Sequence, residues 1–307
     1  MPRERPARIG YAVDVLPEIS RLDTPRGHFV AHGFGDPSAP LVLALHGFPD
    51  TPASWAPLAA LLADAGYRVV APFLRGYSPS TLAGPFDVES LAEDARALAD
   101  ALSPGAPIVL LGHDWGAAVA YVAAARFPER IRCAITLAVP HPLSFLRALA
   151  RSPAQLRRSW YMALFQVPFL AERLLARDDF ALVERLWRDW SPGHHASPAE
   201  LRELKRCLRA SLPGPLEYYR AMAWPPRAAL ARIRLGATPE RRVKIPLLYL
   251  AGADDGCIGP DVGRGQEAHF DGPFRSEVLP GVGHFLQLER PDLVARAILP
   301  WLASIAS

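Results

Sequence analysis

Short apolar runs, most of them bounded by glycine or proline, alternate along the chain with longer segments whose apolar residues recur every three or four positions. Leu41 to Leu45, Tyr67 to Ala71, Ile108 to Leu111, Ile131 to Leu137, Pro246 to Ala251 and Ser276 to Leu279 have the length and aliphatic content of buried strands. Ser54 to Ala65 carries Trp55, Leu58, Leu61 and Leu62 at helical spacing and stops at Gly66. A second helix is predicted from the cap Asp87 through Leu91, Ala95 and Leu98 to Leu102, closed by Ser103-Pro104-Gly105. Ala117 to Ala125 has helix-forming composition, and Pro291 to Ile305 predicts a closing helix. Gly27 to Ala31 reads as a first strand and residues 1 to about 26 as a loosely ordered lead-in. Strands and helices in this alternation predict an α/β fold with a mostly parallel central sheet flanked by helices on both faces. Its functional loops belong at the carboxyl ends of the strands.

The rhythm breaks between about 141 and 235. This stretch shows no convincing strand, holds four of the seven tryptophans, and repeats its apolar residues at helical spacing, as in Leu201, Leu204 and Leu208. It predicts a helical cap, 141–235, inserted into a core domain of 1–140 and 236–307. The arginine runs from Arg147 to Arg158 and from Arg202 to Arg209 read as solvated helix faces. A net charge of +3 over 307 residues, with no long block of one sign, excludes nucleic acid as an expected partner. No apolar run approaches the ~20 residues of a spanning helix, so no membrane partner is expected. Cys133, Cys207 and Cys257 are odd in number and scattered, which predicts free thiols in a reducing compartment and neither disulfide nor zinc site. The N-terminal residues lack the apolar core of a signal peptide, so a cytoplasmic location is expected. The oligomeric state stays open, a homodimer included.

Candidate chemistry collects at three strand ends. Gly112-His113-Asp114-Trp115-Gly116 joins the Ile108 strand to the Ala-rich helix, and a Cβ at either glycine would collide with the neighbouring strand or helix. The crest of this turn lifts Asp114 clear of the sheet, where other nucleophile elbows carry serine. The exchange changes the reaction. A hydroxyl that attacks saturated carbon leaves an ether, which water does not cleave at a useful rate, whereas a carboxylate leaves an ester and keeps turnover open. Aspartate is also a favoured helix N-cap, so a purely structural role competes for Asp114. Gly252-Ala253-Asp254-Asp255 follows a later strand, and Pro280-Gly281-Val282-Gly283-His284 the last. Asp114, Asp255 and His284 then stand in the order nucleophile, acid, histidine. His284 can take a proton from water, and Asp255 can hold its ring and stabilise the imidazolium, with Asp254 competing for that place.

From about residue 27 onward these motifs resemble an epoxide hydrolase of the α/β-hydrolase superfamily. His46-Gly47-Phe48-Pro49 resembles the family's H-G-x-P, which implies an oxyanion hole from the backbone N–H groups of Phe48 and Trp115. Gly252-Ala253-Asp254-Asp255 resembles G-x-x-D, which favours Asp255 as the acid. Arg75-Gly76-Tyr77-Ser78 resembles a structural R-G-Y-G turn, with Pro72-Phe73 where the family usually places an acidic residue ahead of it. Tyr161 stands in a setting similar to Y-x-x-x-F-Q and Tyr219 in one similar to x-Y-R-x-M, the contexts of the two cap tyrosines that hold the epoxide oxygen. The resemblance implies a cofactor-independent hydrolase with no metal, which adds water to a hydrophobic epoxide through an ester on Asp114. Trp115, Phe165, Met222 and Trp224 are the expected apolar lining. A haloalkane dehalogenase is the nearest alternative, but Phe48 stands where that family often has a halide-binding Asn. Fluoroacetate dehalogenases carry arginine after the elbow glycine, where this chain has Ala117-Ala118. A non-catalytic ligand-binding relative would be marked by loss of a triad residue, and none is lost.

Overall fold

In the computed structural model, which describes residues 16–223 and 242–305, the strands join into one eight-stranded sheet. They are β1 (Glu18–Thr24), β2 (Gly27–Phe34), β3 (Leu41–Leu45), β4 (Arg68–Pro72), β5 (Ile108–His113), β6 (Ile131–Leu137), β7 (Leu247–Gly252) and β8 (Phe274–Leu279). Their spatial order is β1-β2-β4-β3-β5-β6-β7-β8; β2 pairs antiparallel with β1 and β4, and every other pairing is parallel. Every residue of β3, β5 and β7 is buried, because helices cover both faces there, so these strands read as apolar runs, with Gly112-His113 ending β5 at the elbow.

The expected lead-in needs correction. Glu18–Thr24 is a strand, in register with β2 from Glu18↔Gly33 to Thr24↔Gly27. It lies at the sheet edge with most side chains at least partly exposed, so its sequence EISRLDT is too polar to announce a buried strand.

The crossover from β3 to β4 begins with a 3-10 turn, Pro52–Trp55, followed by α1 (Ala56–Asp64). Then come α2 (Val88–Leu102) and α3 (Trp115–Arg126); α4 (Pro142–Arg151), α5 (Pro153–Arg158), α6 (Trp160–Phe165), α7 (Leu170–Trp190), α8 (Pro198–Ser211) and α9 (Gly214–Ala223); and finally α10 (Leu286–Glu289) and α11 (Pro291–Ser304). Asp87 caps α2 as expected, accepting the Ser90 N–H at 3.0 Å. α1 and α11 cover one face of the sheet around Val42, Val109, Ile135 and Ile298, while α2 and α3 cover the other around Leu43, Leu110, Leu98 and Val119. α4 to α9 all fall between β6 and β7, with no strand among the described residues there. α7 is two helical pieces: the backbone leaves helical angles from Arg177 to Phe180, with positive φ at Asp178, Asp179 and Phe180. Among the described residues no helix is long and apolar enough to cross a membrane.

The turn at Arg75 is held by charge. Its guanidinium, 4% exposed, forks onto Asp94 of α2 at 2.6 and 2.8 Å and also donates to the carbonyls of Ala83 and Arg26. The acid that meets Arg75 thus comes from α2, 19 positions on, and not from the residues just ahead of the turn. Tyr218 of α9 donates to the Arg75 carbonyl at 2.5 Å, so the turn also anchors the inserted helices. Asp94 also accepts from Arg26 Nε at 2.6 Å, so it keeps one cation when Arg75 is removed. Arg75→Ala is therefore expected to cost about 1.5–3 kcal/mol of stability, the range for hydrogen bonds to charged groups, measured by urea denaturation of both proteins.

Candidate active site

The crest residue Asp114 sits at φ 51° and ψ −114°, a backbone conformation that non-glycine residues rarely adopt. Close packing forces it there. A Cβ on Gly116 would lie 2.0 Å from the Leu45 carbonyl oxygen, and one on Gly112 would lie 2.2 Å from that of Gly116. Asp114 occupies the N-cap position of α3, yet its side chain makes no capping bond. Its Oδ1 instead accepts the Phe48 N–H at 2.8 Å, and its Oδ2 lies 3.7 Å from His284 Nε2. The helix-capping reading of this residue is thereby removed.

The Phe48 N–H is aimed through its own peptide plane. The Gly47 carbonyl, at the other side of that plane, accepts from His46 Nδ1–H at 2.9 Å and from the Tyr77 hydroxyl at 3.3 Å. His46 Nε2 accepts the Leu74 N–H at 3.2 Å, which fixes the tautomer, and burial lowers this imidazole to about 4 and keeps it neutral. Trp115 opens α3, so its N–H is one of the four that have no acceptor inside the helix.

His284 has no exposed surface and donates from Nδ1 to Asp255 Oδ2 at 2.8 Å. Asp255 Oδ1 accepts the N–H groups of Cys257 and Ile258 at 2.7 and 2.8 Å, which leaves Asp254 exposed and out of the pair. Burial opposes a charge on His284, but Asp255 and then Asp114 outweigh it and raise the imidazole to about 10. Burial likewise opposes ionisation of Asp114, and the nearby His284 more than reverses it, so its pKa is lowered. Behind the pair, His113 donates from Nε2 to the His284 carbonyl at 2.9 Å, with its Nδ1 3.8 Å from Asp50 Oδ2. Asp50 accepts from Thr51 N and Ser54 Oγ at 2.7 and 2.6 Å, and burial raises it to about 7.

Two phenols from the inserted helices reach the same place. Tyr161 of α6 and Tyr219 of α9 meet with ring centroids 5.8 Å apart, nearly perpendicular. The Tyr219 hydroxyl is buried without a hydrogen-bond partner among the described residues, while that of Tyr161 shares a hydrogen with Cys257 Sγ at 3.4 Å. Burial, reinforced by Cys257 at Tyr161 and by Asp114 at Tyr219, holds both phenols well above 10 and therefore protonated. Asp114, Trp115, Tyr161, Tyr219 and Met222 line one cavity of about 200 Å³. Its apolar wall continues along α3 through Ala118, Val122 and Ala125. Phe165, expected on that wall, is instead fully buried behind it, edge-on to Phe48, Tyr161 and Tyr219 at 5.2, 5.6 and 5.1 Å. Trp224 lies outside the described residues.

One group of metal-ligating types occurs among the described residues: ligand atoms of Asp255, Cys257 and His284 lie within 4.8 Å of one another. Asp255 and His284 satisfy each other, and burial keeps Cys257 as a thiol by raising it well above 9.

The alpha/beta hydrolase fold family matches residues 40–291. Epoxide hydrolase 3 of Xenopus tropicalis is 32% identical, over 90% of this chain and 74% of its own length. Epoxide hydrolase A of Mycobacterium tuberculosis is 31% identical, over 88% of this chain and 92% of its own. A solved structure from the novel epoxide hydrolases of hot-environment metagenomes superposes with a TM-score of 0.79 at 30% identity, covering 94% of this chain and 99% of that one. The chain belongs to the epoxide hydrolases of the α/β-hydrolase superfamily.

In this epoxide hydrolase the structure brings Asp114, Asp255, His284, Tyr161, Tyr219, Phe48 and Trp115 together. Sequence reading missed the residues around them. Cys257 stands two positions after the acid, in a loop read only for its carboxylates. His113 and Asp50 belong to no motif of their own, and their place behind His284 shows only in the fold. Trp190, whose ring lies 4.9 Å from Tyr161 and 5.2 Å from His284, carries no motif beyond its place on an apolar helix face.

A pKa raised from 6.5 to about 10 makes His284 a source of stability that is fully present below about pH 6.5 and lost as pH rises through 10. The wild type is expected to lose stability across that window by a component absent from His284→Gln, read from urea denaturation midpoints at each pH.

Proposed function

We propose that the enzyme adds water to a hydrophobic epoxide to give a vicinal diol, by way of an ester on Asp114. The observation that carries this reading is the pair of protonated phenols, Tyr161 and Tyr219, on the wall of the cavity that also holds Asp114. In the first step an Asp114 oxygen attacks a ring carbon, the new C–O bond forms as the ring C–O bond breaks, and the freed oxygen takes a proton from the phenols. Esterification removes the Asp114 charge, one of the two that raise His284, so the imidazole becomes easier to deprotonate just when a base is needed. The imidazolium gives its proton to the phenolate left by ring opening, and the neutral His284 then takes a proton from water, which attacks the ester carbonyl. The oxyanion forms between the N–H groups of Phe48 and Trp115. On collapse the alcohol leaves with the proton from His284, and the proton on the new Asp114 carboxyl passes back to His284, which restores the resting carboxylate and imidazolium. Asp255 keeps the imidazole in one tautomer throughout.

The helices α4 to α9 act as the cap of this site, within the division of the chain into a core of 1–140 and 236–307 and a cap of 141–235. The boundary at 235 lies outside the described residues. The substrate's apolar arm runs along α3 over Ala118, Val122 and Ala125, and Met222 closes the wall from α9. Haloalkane dehalogenation needs N–H donors around the leaving group, and Phe48 offers only carbon at the position where an amide side chain would serve. The three free, buried cysteines suit the cytoplasmic location expected of this chain.

Four variants test the scheme with an aryl epoxide and a matched haloalkane, scoring diol against halide. Asp114→Asn abolishes diol formation, apart from slow deamidation back to Asp. His284→Gln accumulates protein heavier by the mass of one epoxide. Tyr161→Phe and Tyr219→Phe each lower kcat/KM about 100-fold. Halide release at a rate comparable to diol formation, or full activity in Asp114→Asn, would overturn the assignment.

A further inference from the structure

The end of α7 touches three of the loops that build the site. The Trp187 indole donates to the Pro49 carbonyl at 2.7 Å, directly after the Phe48 peptide. The Trp190 carbonyl accepts two N–H groups, from Gly256 at 3.0 Å and from His284 at 3.1 Å. Ser191 Oγ accepts the Phe285 N–H at 3.0 Å. One turn of helix thus holds the Phe48 loop, the Asp255 loop and the His284 loop at once. Both of the last two loops bear a glycine where the helix end presses in. A Cβ on Gly256 would lie 1.9 Å from the Asp189 carbonyl oxygen, and one on Gly283 would lie 2.6 Å from Ser191 Cα. Glu289 closes the arrangement from α10, accepting the Gly283 N–H at 3.0 Å. The Trp190 side chain, 2% exposed, lies between the rings of Tyr161 and His284.

We infer that the last turn of α7, Trp187 to Ser191, is a clamp that sets the position of His284 and Asp255 relative to the Phe48 loop, with Trp190 and Ser191 as its positioning residues. The inference rests on the two-step reading above. Asp114 itself is held by the β5–α3 turn and the Phe48 N–H, so loosening the His284 side of the clamp leaves ring opening in place. Ester hydrolysis suffers, because it needs His284 within reach of a water on the ester. Displacement of about 1 Å at such a step costs up to roughly 100-fold. Trp190 touches both machineries, since its ring packs on the phenol of the first step and on the base of the second.

Rapid-quench mass spectrometry of the intact enzyme, with an aryl epoxide, separates the steps. Ser191→Ala is expected to slow hydrolysis about tenfold with the alkylation rate unchanged, so the esterified fraction at steady state rises and kcat and KM fall together. Trp190→Leu slows both steps about tenfold or more, and Trp190→Phe, which keeps a ring against Tyr161 and His284, recovers to within about threefold of wild type. Rates are taken per folded molecule, counted by the esterified fraction that each variant reaches when combined with His284→Gln. Loss of activity only in proportion to lost folded protein, with both step rates within twofold of wild type, would overturn the clamp. Should Trp190→Leu not fold, Ser191→Ala alone decides between the two outcomes. Absence of any ester in wild type and in His284→Gln while diol still forms would sink the two-step reading instead, and kcat per folded molecule, counted then by circular dichroism, would still judge the clamp.

Discussion

An imidazolium with no exposed surface can exist only where opposite charge surrounds it, and that requirement organises this protein. Asp255 lies at 2.8 Å on one side of the His284 ring and Asp114 at 3.7 Å on the other. Neither carboxylate comes from the histidine's own loop. The sheet must therefore deliver three strand ends, those of β5, β7 and β8, to one point within a few tenths of an ångström. The continuous burial of the central strands and the strained φ of Asp114 serve that delivery. Outside the pair, neutral groups complete the shell: His113 and His46 stay uncharged through burial and orient carbonyl groups without adding charge.

The same balance gives the site its direction. In the proposed reaction the histidine is a stored proton while Asp114 is ionised, and once Asp114 is an ester one of the charges holding that proton has gone. The change that creates the intermediate thus also prepares the base that consumes it. Burial keeps both phenols protonated at rest, and the charge on Asp114 adds to that effect at each.

Much of this could be read along the chain, for identifiable reasons. Parallel strands buried on both faces are largely apolar, so Leu41–Leu45 showed its limits to the residue, and so did Ile131–Leu137, which only Arg132 and Thr136 interrupt. The glycines beside Asp114 were legible because only hydrogen fits against the Leu45 carbonyl. What escaped notice lacks any local signature. The strand Glu18–Thr24 is polar because it forms an edge, and its pairing with β2 is information held by the partner. Trp190 holds the Asp255 and His284 loops through its carbonyl and a ring face, which any apolar helix could supply, and Ser191 acts through a single hydroxyl that no motif marks. Phe165 was correctly placed beside the tyrosines but not on the correct side of them, since helical spacing reports a face and not which of two layers that face meets.

In the proposed reaction the contact between Tyr161 and Cys257 bears on how freely the phenol can react. Sulfur is a feeble acceptor and a thiol a feeble donor, so whichever of the two carries the shared hydrogen, little free energy is lost when it lets go. An oxygen in that position would grip the phenol more firmly, and substrate would have to win the hydroxyl away before using it. A poor resting companion is here the useful one: it parks the group in place without taxing its departure.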